Sequence, residues 1–347
     1  MNSKTYKMIF LLIGVATVGY MVYQLGVGVI WENIRKTGLW FIPIIGSWLA
    51  IYIMNALGFQ AIIVEDDKPD TRLPFLRILR LTISGYAINY VTPFVALGGE
   101  PYRIMELKPS LGAAKASSSV LLYSLMHMFS HIVFWLLSIL LIVALLPLNA
   151  LLISCSAVIL VIGGGLCIWF SRVYKKGFTM SILRQLSRLP LVGQSINRFA
   201  IDQAIVLQEI DQHIITLYSH RRAAFYRSLV WEFAARVVGC AEIYFTAKAI
   251  GLGMDMGEAL VVSSTSSLFA NVLFFFPMQL GTREGGLALA LKAIGLAGSA
   301  GIFIGIVTRI REIIWIFIGL ALMGSSRKAN KVAALALADS GINEKIV

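Results

Sequence analysis

The chain has 347 residues, of which 58% are hydrophobic and only 14% charged, with a formal net charge of +12 and a mean hydropathy of +0.80. That composition excludes an ordinary water-soluble domain, since several uncharged runs can cross a bilayer core of about 30 Å at about 1.5 Å per residue. It also excludes a β-barrel, which would show short alternating segments, and a nucleic-acid partner, because the basic residues lie between hydrophobic runs as they do in cytoplasmic loops.

Residues 8–30 and 39–64 are uncharged, and each is long enough to span. The first is too long for a signal-peptide core and no small-residue cleavage site follows it, so it is expected to stay as an anchor. Residues 66–80 read as a mixed-charge loop containing Arg72, Arg77 and Arg80. Residues 81–99 are again uncharged, but Asn89 and Pro93 interrupt them, Gly98-Gly99 end them, and Glu100 and Arg103 follow at once. Broken backbone at membrane depth is tolerated only where protein or a water-filled cavity covers its polar groups, which favours a re-entrant hairpin over an ordinary span ending at the interface.

Residues 116–171 contain no Asp, Glu, Lys or Arg, and Pro147-Leu148-Asn149 divides them into two spans. The polar segment 172–227 follows, with nine Lys/Arg against Asp202, Glu209 and Asp211. Within it Ile201, Ile205, Ile210, Ile214 and Leu217 recur at roughly helical spacing, which predicts a helix on the membrane surface or against the bundle. The span 223–250 carries Glu232, Arg236 and Glu242. Residues 259–281 open with Ser263-Ser264-Thr265-Ser266-Ser267 and end in Pro277 and Gly281, with Arg283 and Glu284 next. The last span, 301–324, holds Arg309, Arg311 and Glu312, and a basic tail closes the chain. Cys155, Cys167 and Cys240 all sit in apolar runs and are expected to be free thiols.

Lys and Arg collect on the cytoplasmic side of membrane proteins, which puts segment 172–227 and both termini inside. Parity then requires the first interrupted segment to enter from and return to the cytoplasm, and the second to do so from outside. Arg35 and Lys36 alone oppose this orientation. The expected fold is all-α: a polytopic integral membrane helical bundle of about six full spans plus two re-entrant hairpins in an inverted-repeat arrangement. It forms a single membrane domain, 1–324, with hairpins at 81–107 and 259–297 and a cytoplasmic connector at 172–222. A cytoplasmic basic tail occupies 325–347.

The two interrupted segments share a pattern. Asn89 to Arg103 reads NYVTPFVALGGEPYR and Asn271 to Glu284 reads NVLFFFPMQLGTRE; in both, a glutamate follows the proline by seven residues, with Leu-Gly between. Opposed broken helices meeting near the midplane present helix N-termini to an anionic group. Pro101 suits the start of a helix, so the N–H groups there, with Arg103, form a phosphate receptor, and Arg283 has the same part at the second hairpin. Glu100 and Glu284 have two readings: they bind a cationic headgroup or carry protons, or they only neutralise the arginines.

This pairing of N…P…GGE..R with P…G.RE resembles the flippase-like membrane region of lysylphosphatidylglycerol synthases, over roughly residues 8–324. The resemblance implies movement of aminoacylated phosphatidylglycerol or a related lipid between leaflets, without the soluble transferase domain that bifunctional members add. Met278 and Gln279 stand where the family's second motif has glycines, which leaves the lipid open.

Elsewhere, His127 and His131 share a helix face, a spacing known from metal sites but better read as a hydrogen-bonded pair in the interior, since no acid or cysteine accompanies them. Glu232 and Arg236 can pair across one turn, and charges at that depth default to function. Arg309 and Glu312 are read likewise, whereas Arg311, on another face, is read as snorkelling. Gly163-Gly164-Gly165 reads as packing. The Ser263–Ser267 run has two readings, close packing of small residues or the wall of a polar path.

The leading function is therefore a lipid flippase in the cell inner (plasma) membrane, acting on an anionic or aminoacylated phosphatidylglycerol-type phospholipid. Its substrate-binding candidates are Asn89, Glu100, Arg103, Glu232, Arg236, Asn271, Arg283, Glu284, Arg309 and Glu312. No catalytic residue, metal, cofactor or nucleic acid is expected, and beyond the membrane phospholipid the partners considered are a second copy of the chain or a lipid synthase. Two alternatives compete: a membrane-embedded transferase with Glu100 or Glu284 as base, and a non-catalytic partner of a separate lipid synthase.

Overall fold

The computed structural model describes residues 3–65, 68–92, 98–145, 150–176, 187–188, 193–272 and 281–339. Pro93, Leu97, the Pro147–Asn149 turn, Pro277, Met278, Gln279 and Leu280 lie outside the described residues. The described chain is helical, with one isolated β-bridge between Glu65 and Lys68. In order the helices are α1 (Ser3–Leu25), α2 (Val27–Thr37), α3 (Phe41–Ile63), α4 (Phe75–Val91), α5 (Gly99–Leu111), α6 (Ala113–Leu145) and α7 (Ala150–Lys176). After the connector come α8 (Gly193–Asp202), α9 (Ala204–Ser219), α10 (Arg222–Ala249), α11 (Met256–Val272), α12 (Thr282–Ala293) and α13 (Ala300–Asp339).

Three stretches are long and apolar enough to cross a membrane outright: Val27–Ile63, Ala113–Ala144 and Ser156–Lys175. Helices α10 and α13 are also long, at 28 and 40 residues, but carry Glu232, Arg236 and Glu242, and Arg309, Arg311 and Glu312, within their apolar stretches. Those charges are tolerable because they face the bundle: Glu232, Glu242, Arg309, Arg311 and Glu312 are all buried. The outer surface is the reverse, with exposed Leu12, Val15, Leu140, Val161, Ile162 and Phe317. A polar interior inside an apolar coat is what a lipid solvent demands. The protein is an integral membrane helical bundle.

Two successive four-helix groups share one plan. A long helix leads, two short ones follow, and a long helix closes: 23, 17, 13 and 33 residues for α3–α6, and 28, 17, 12 and 40 for α10–α13. The leading helices α3 and α10 pack against each other antiparallel. At one end the Arg221 guanidinium donates to Ile62 O (3.2 Å) and Ala61 O (3.3 Å); at the other the Trp40 and Phe245 rings are 6.0 Å apart. Between them Gly58 and Gly239 face the partner helix, a Cβ at Gly58 falling 3.3 Å from Ser228 O and one at Gly239 falling 3.7 Å from Ile51 Cδ1. Small residues here let the backbones close up. Helix α4 lies against α13 in the same way, where a Cβ on Gly319 would meet Ala87 Cβ at 2.4 Å.

Some sequence boundaries move. Residues 66–80 are not all loop: Pro74 sets the backbone for a helix start, and α4 begins at Phe75, so Arg77 and Arg80 are helical and Arg77 donates to Glu106 O at 3.0 Å. Residues 325–339 of the expected tail continue α13. In the connector, Ile210, Ile214 and Leu217, with Leu207, are buried against the bundle. Ile201 and Ile205 are exposed instead: Ile201 lies before the break at Gln203, and Ile205, five residues before Ile210, falls off the face that Leu207, Ile210, Ile214 and Leu217 share. Cys167 and Cys240 are free thiols.

Candidate functional site

The first interrupted pair, α4 and α5, is tied at its mouth by Asn89. Its Oδ1 accepts the Gly99 N–H at 2.6 Å, satisfying a donor at the start of α5 that would otherwise be orphaned, and its Nδ2 donates to Glu100 Oε1 at 3.2 Å. The Gly99 N–H is therefore taken. The close approach needs glycine: a Cβ on Gly99 would stand 2.2 Å from Gly85 O. Gly85 in turn leaves room for Arg103, since a Cβ there would stand 2.3 Å from Arg103 Nε.

Arg103 is the largest fully buried side chain, at 1% exposure. Its guanidinium lies between the rings of Tyr86 (5.1 Å) and Tyr123 (5.2 Å) and reaches Thr82 O at 3.4 Å and Glu100 Oε1 at 3.5 Å. Ser124 of α6 also approaches Glu100 Oε1, at 3.5 Å. Two buried atoms here make no hydrogen bond, Arg103 Nε and Glu100 Oε2. The unsatisfied donor on the cation and the unsatisfied acceptor on the anion belong to one pair, whose Nη1 and Oε1 atoms are 3.5 Å apart.

One layer deeper, the Tyr86 hydroxyl accepts from Asn55 Nδ2 (3.2 Å) and contacts Tyr123 OH (3.2 Å) and His127 Nδ1 (2.9 Å). His127 Nδ1 is 2.7 Å from Glu232 Oε2 and 2.9 Å from Arg236 Nη2. Arg236 also donates to His127 O (3.2 Å) and Ser130 Oγ (3.3 Å), and stands 3.8 Å from Glu232 Oε2. Beyond it the polar line continues along α6, from His127 to His131 (rings 5.3 Å apart), Trp135 and, by Trp135 Nε1, to Ser267 Oγ at 3.4 Å. Ser267 thereby has a side-chain partner on α6.

The second pair, α11 and α12, is arranged differently. Glu284 accepts the Gly281 N–H at 3.0 Å and pairs with Arg309 Nε of α13 at 2.7 Å. Arg283 forms an ion pair with Glu312. Asn271 hydrogen-bonds back to Ser267 O on its own helix at 2.8 Å, so it does not repeat the bridging part of Asn89. The two glutamates still match in one respect. Each turns to the long helix that follows, Glu100 to Ser124 and Glu284 to Arg309, partners 24 and 25 residues on.

Arg311 is the correction. Read from sequence as snorkelling, it is 2% exposed and holds Glu242 with both arms, Nε to Oε1 at 2.8 Å and Nη2 to Oε2 at 3.0 Å. Trp48 Nε1 donates to Glu242 Oε2 at 2.7 Å, and the guanidinium carbon lies 3.6 Å from the Trp48 ring centroid. Glu242 announced itself in sequence as an intramembrane charge; Trp48, Tyr86 and Tyr123 are ordinary apolar-run residues there and gave no signal.

At the end of α3 a separate polar cluster ties both groups together. Glu65 binds Lys115, and Lys68 at 3.0 Å, with Arg221 at 3.6 Å. Burial alone would raise the Glu65 pKa, but hydrogen bonds from Lys115 and Lys68 outweigh it and hold the carboxyl at about 2. Among the described residues no three His, Cys, Asp or Glu side chains gather as metal ligands.

Comparison with known families matches residues 8–320 to the lysylphosphatidylglycerol synthase TM region. The chain belongs to this family. No curated protein and no solved structure matches it. Membership gives this member of the lysylphosphatidylglycerol synthase membrane family a role tied to membrane lipid, and the buried arginines and glutamates are where its interior departs from an inert anchor.

Proposed function

We propose that the protein is a lipid flippase, moving an anionic or aminoacylated phospholipid of the phosphatidylglycerol type between leaflets of the cell inner membrane. The headgroup crosses through the polar interior while the acyl chains stay in lipid. One observation carries this reading: in the Arg103–Glu100 pair at the broken helix pair, Arg103 Nε and Glu100 Oε2 are both buried and without hydrogen-bond partners. A phosphate for the arginine and an ammonium for the glutamate is the complement of an aminoacylated phosphatidylglycerol headgroup.

The phosphate is taken by Arg103 and Arg236, whose acids stand off at 3.5 and 3.8 Å, ahead of Arg309 and Arg311, each bonded to a carboxylate at 2.7–2.8 Å, and of Arg283, paired with Glu312. The single membrane domain, 1–324, works as two inverted repeats, α3–α6 and α10–α13, each with a re-entrant hairpin at its centre. The antiparallel packing of α3 on α10 supports that arrangement, because a two-fold axis in the membrane plane reverses a helix. Both termini are then cytoplasmic, and any further copy or lipid-synthase partner docks from lipid or cytoplasm.

The test is exchange in vesicles. Purified protein reconstituted with tail-labelled phosphatidylglycerol should make the inner-leaflet label accessible to dithionite without any soluble cofactor. Vesicles that show no exchange of this lipid, yet turn an added activated donor into a new lipid, would transfer the assignment to an enzyme.

A further inference from the structure

Glu232 is the most deeply buried acid among the described residues. It is 0% exposed, is the eleventh residue of the 28-residue α10, and a Cβ on Gly58 of α3 would stand 3.5 Å from its Oε1. A carboxylate so placed must be paired, hydrogen-bonded or neutral. Its Oε1 has no hydrogen-bond partner, and its Oε2 meets His127 Nδ1 at 2.7 Å.

That contact requires a proton. A carboxylate oxygen only accepts and a bare ring nitrogen only accepts, so 2.7 Å between them is a hydrogen bond only if one of the two carries a hydrogen. The same Nδ1 lies 2.9 Å from Arg236 Nη2, and a guanidinium only donates. Nδ1 has a single in-plane position, so it takes a hydrogen from Glu232 or from Arg236 but not from both, and a proton on the Glu232–His127 contact competes with Arg236 for the same site. Arg236 stands 3.8 Å from Glu232 Oε2, beyond hydrogen-bond reach.

We infer that Glu232 and His127 form a proton-loading centre whose occupancy frees or reclaims Arg236, so that a proton and a lipid phosphate cross together. With the proton on Glu232, the Arg236 charge has lost its counter-ion, since Glu242 of the same helix is held by Arg311, and it accepts the phosphate. When the proton leaves by way of His127, the carboxylate draws Arg236 to itself, His127 turns an N–H toward it, and the phosphate loses its site. The neighbours that bias the exchange are Arg236 on the same helix, Arg103 from α5, Tyr86 from α4, Tyr123 and His131 from α6, and the neutral Asn55 from α3. Their hydroxyls and rings also supply the donors and acceptors through which a proton reaches the pair.

The coupling rests on the flippase reading, whereas the proton site itself does not, and the experiment separates the two. Vesicles of palmitoyl-oleoyl phosphatidylcholine with tail-labelled phosphatidylglycerol receive an imposed gradient of about one pH unit, beside protein-free controls. One proton per lipid biases the final leaflet distribution up to about tenfold, since a pH unit is worth a factor of ten in an equilibrium. Exchange that reaches the same distribution with and without the gradient overturns the coupling and leaves the flippase intact; no exchange at all overturns the flippase. In parallel, infrared titration of the wild type without substrate should show a protonated-carboxyl stretch at neutral pH that is missing in Glu232→Gln and shifted in His127→Gln. If Glu232→Gln leaves the carboxyl bands unchanged, Glu232 carries no proton and the centre does not exist.

Discussion

Arg311 offers the sharpest test of how the charged interior is held together. Its guanidinium, 2% exposed, is bonded by two arms to Glu242 at 2.8 and 3.0 Å and stacked on Trp48. Arg311→Met keeps the volume and removes the charge, leaving Glu242 buried with only the Trp48 N–H for company. Breaking a buried pair from one side costs about 3–5 kcal/mol, because the remaining charge has lost its counter-ion and cannot reach water. Glu242→Gln costs less, since Glu312 still lies 3.9 Å from Arg311 Nη2. The double variant Arg311→Met/Glu242→Gln should recover about 2–3 kcal/mol relative to the sum of the two, and retain a deficit of about 1–2 kcal/mol from the lost cation–π contact. Reversible unfolding in mixed micelles, followed by tryptophan fluorescence, measures all four corners of the cycle. A snorkelling arginine would give a nearly silent single variant. An Arg311→Met cost under about 1 kcal/mol, or strict additivity in the double, would refute the reasoning.

Arg103→Ala should cut lipid exchange in vesicles at least tenfold, the loss of a charge-assisted contact worth about 1.5–3 kcal/mol, and Arg103→Lys should rescue only part of it for want of the planar fork; wild-type exchange by the alanine variant would remove Arg103 from phosphate capture. Gly99→Ala should destabilise by about 1–3 kcal/mol, because the added Cβ meets backbone, which cannot swing aside; an unchanged melting temperature would count against the close approach of α5 to α4. Glu65 has a folded pKa of about 2 against an ordinary 4.5, so its contribution to stability is full above pH 4.5 and fades as pH falls towards 2. Melting temperatures of the wild type should therefore drop through that window, and Glu65→Gln should flatten the drop. Cysteine placed at Ser299, an exposed turn position, in a background lacking native cysteines should react with an impermeant maleimide from outside the cell; labelling only after lysis would rule out the inverted second hairpin.

What the sequence disclosed depended on whether the informative quantity was local. An uncharged run of the right length is a local property, so the α-helical membrane character was plain, and so were the breaks at Gly98-Gly99 and Gly281. The partners of the charges were not, because an arginine's side chain reaches across helices whose packing no local pattern encodes. Glu232 and Arg236, four apart, were an obvious pair along the helix; in the structure His127, 105 residues from Glu232, takes the closer contact. Arg309 and Glu312 shared a face and were grouped, yet each answers to a different residue of the second broken pair, Glu284 and Arg283. Arg311 was misread for the same reason: its face was judged from the heptad of α13 alone, while α10 supplies the acid that buries it.

The way the interior charges pair sets the two broken helix pairs apart, and on the proposed flippase reading it makes the first the better receptor. Near the second pair every arginine has a short, direct carboxylate partner, so a phosphate arriving there must displace one and leave it buried and alone, a cost of several kcal/mol. Around the first pair the contacts are long, 3.5 Å for Arg103 to Glu100 and 3.8 Å for Arg236 to Glu232; the Tyr86 and Tyr123 rings lie about the Arg103 guanidinium, and His127 takes the closer contact to Glu232. Polarisable rings stabilise a guanidinium without consuming its N–H donors. An incoming phosphate there gains donors and strands no acid that was tightly held. The two broken pairs thus differ in chemistry: carboxylates hold the arginines beside α11–α12 directly, whereas Arg103 of α5 and Arg236 of α10 stand farther from their acids.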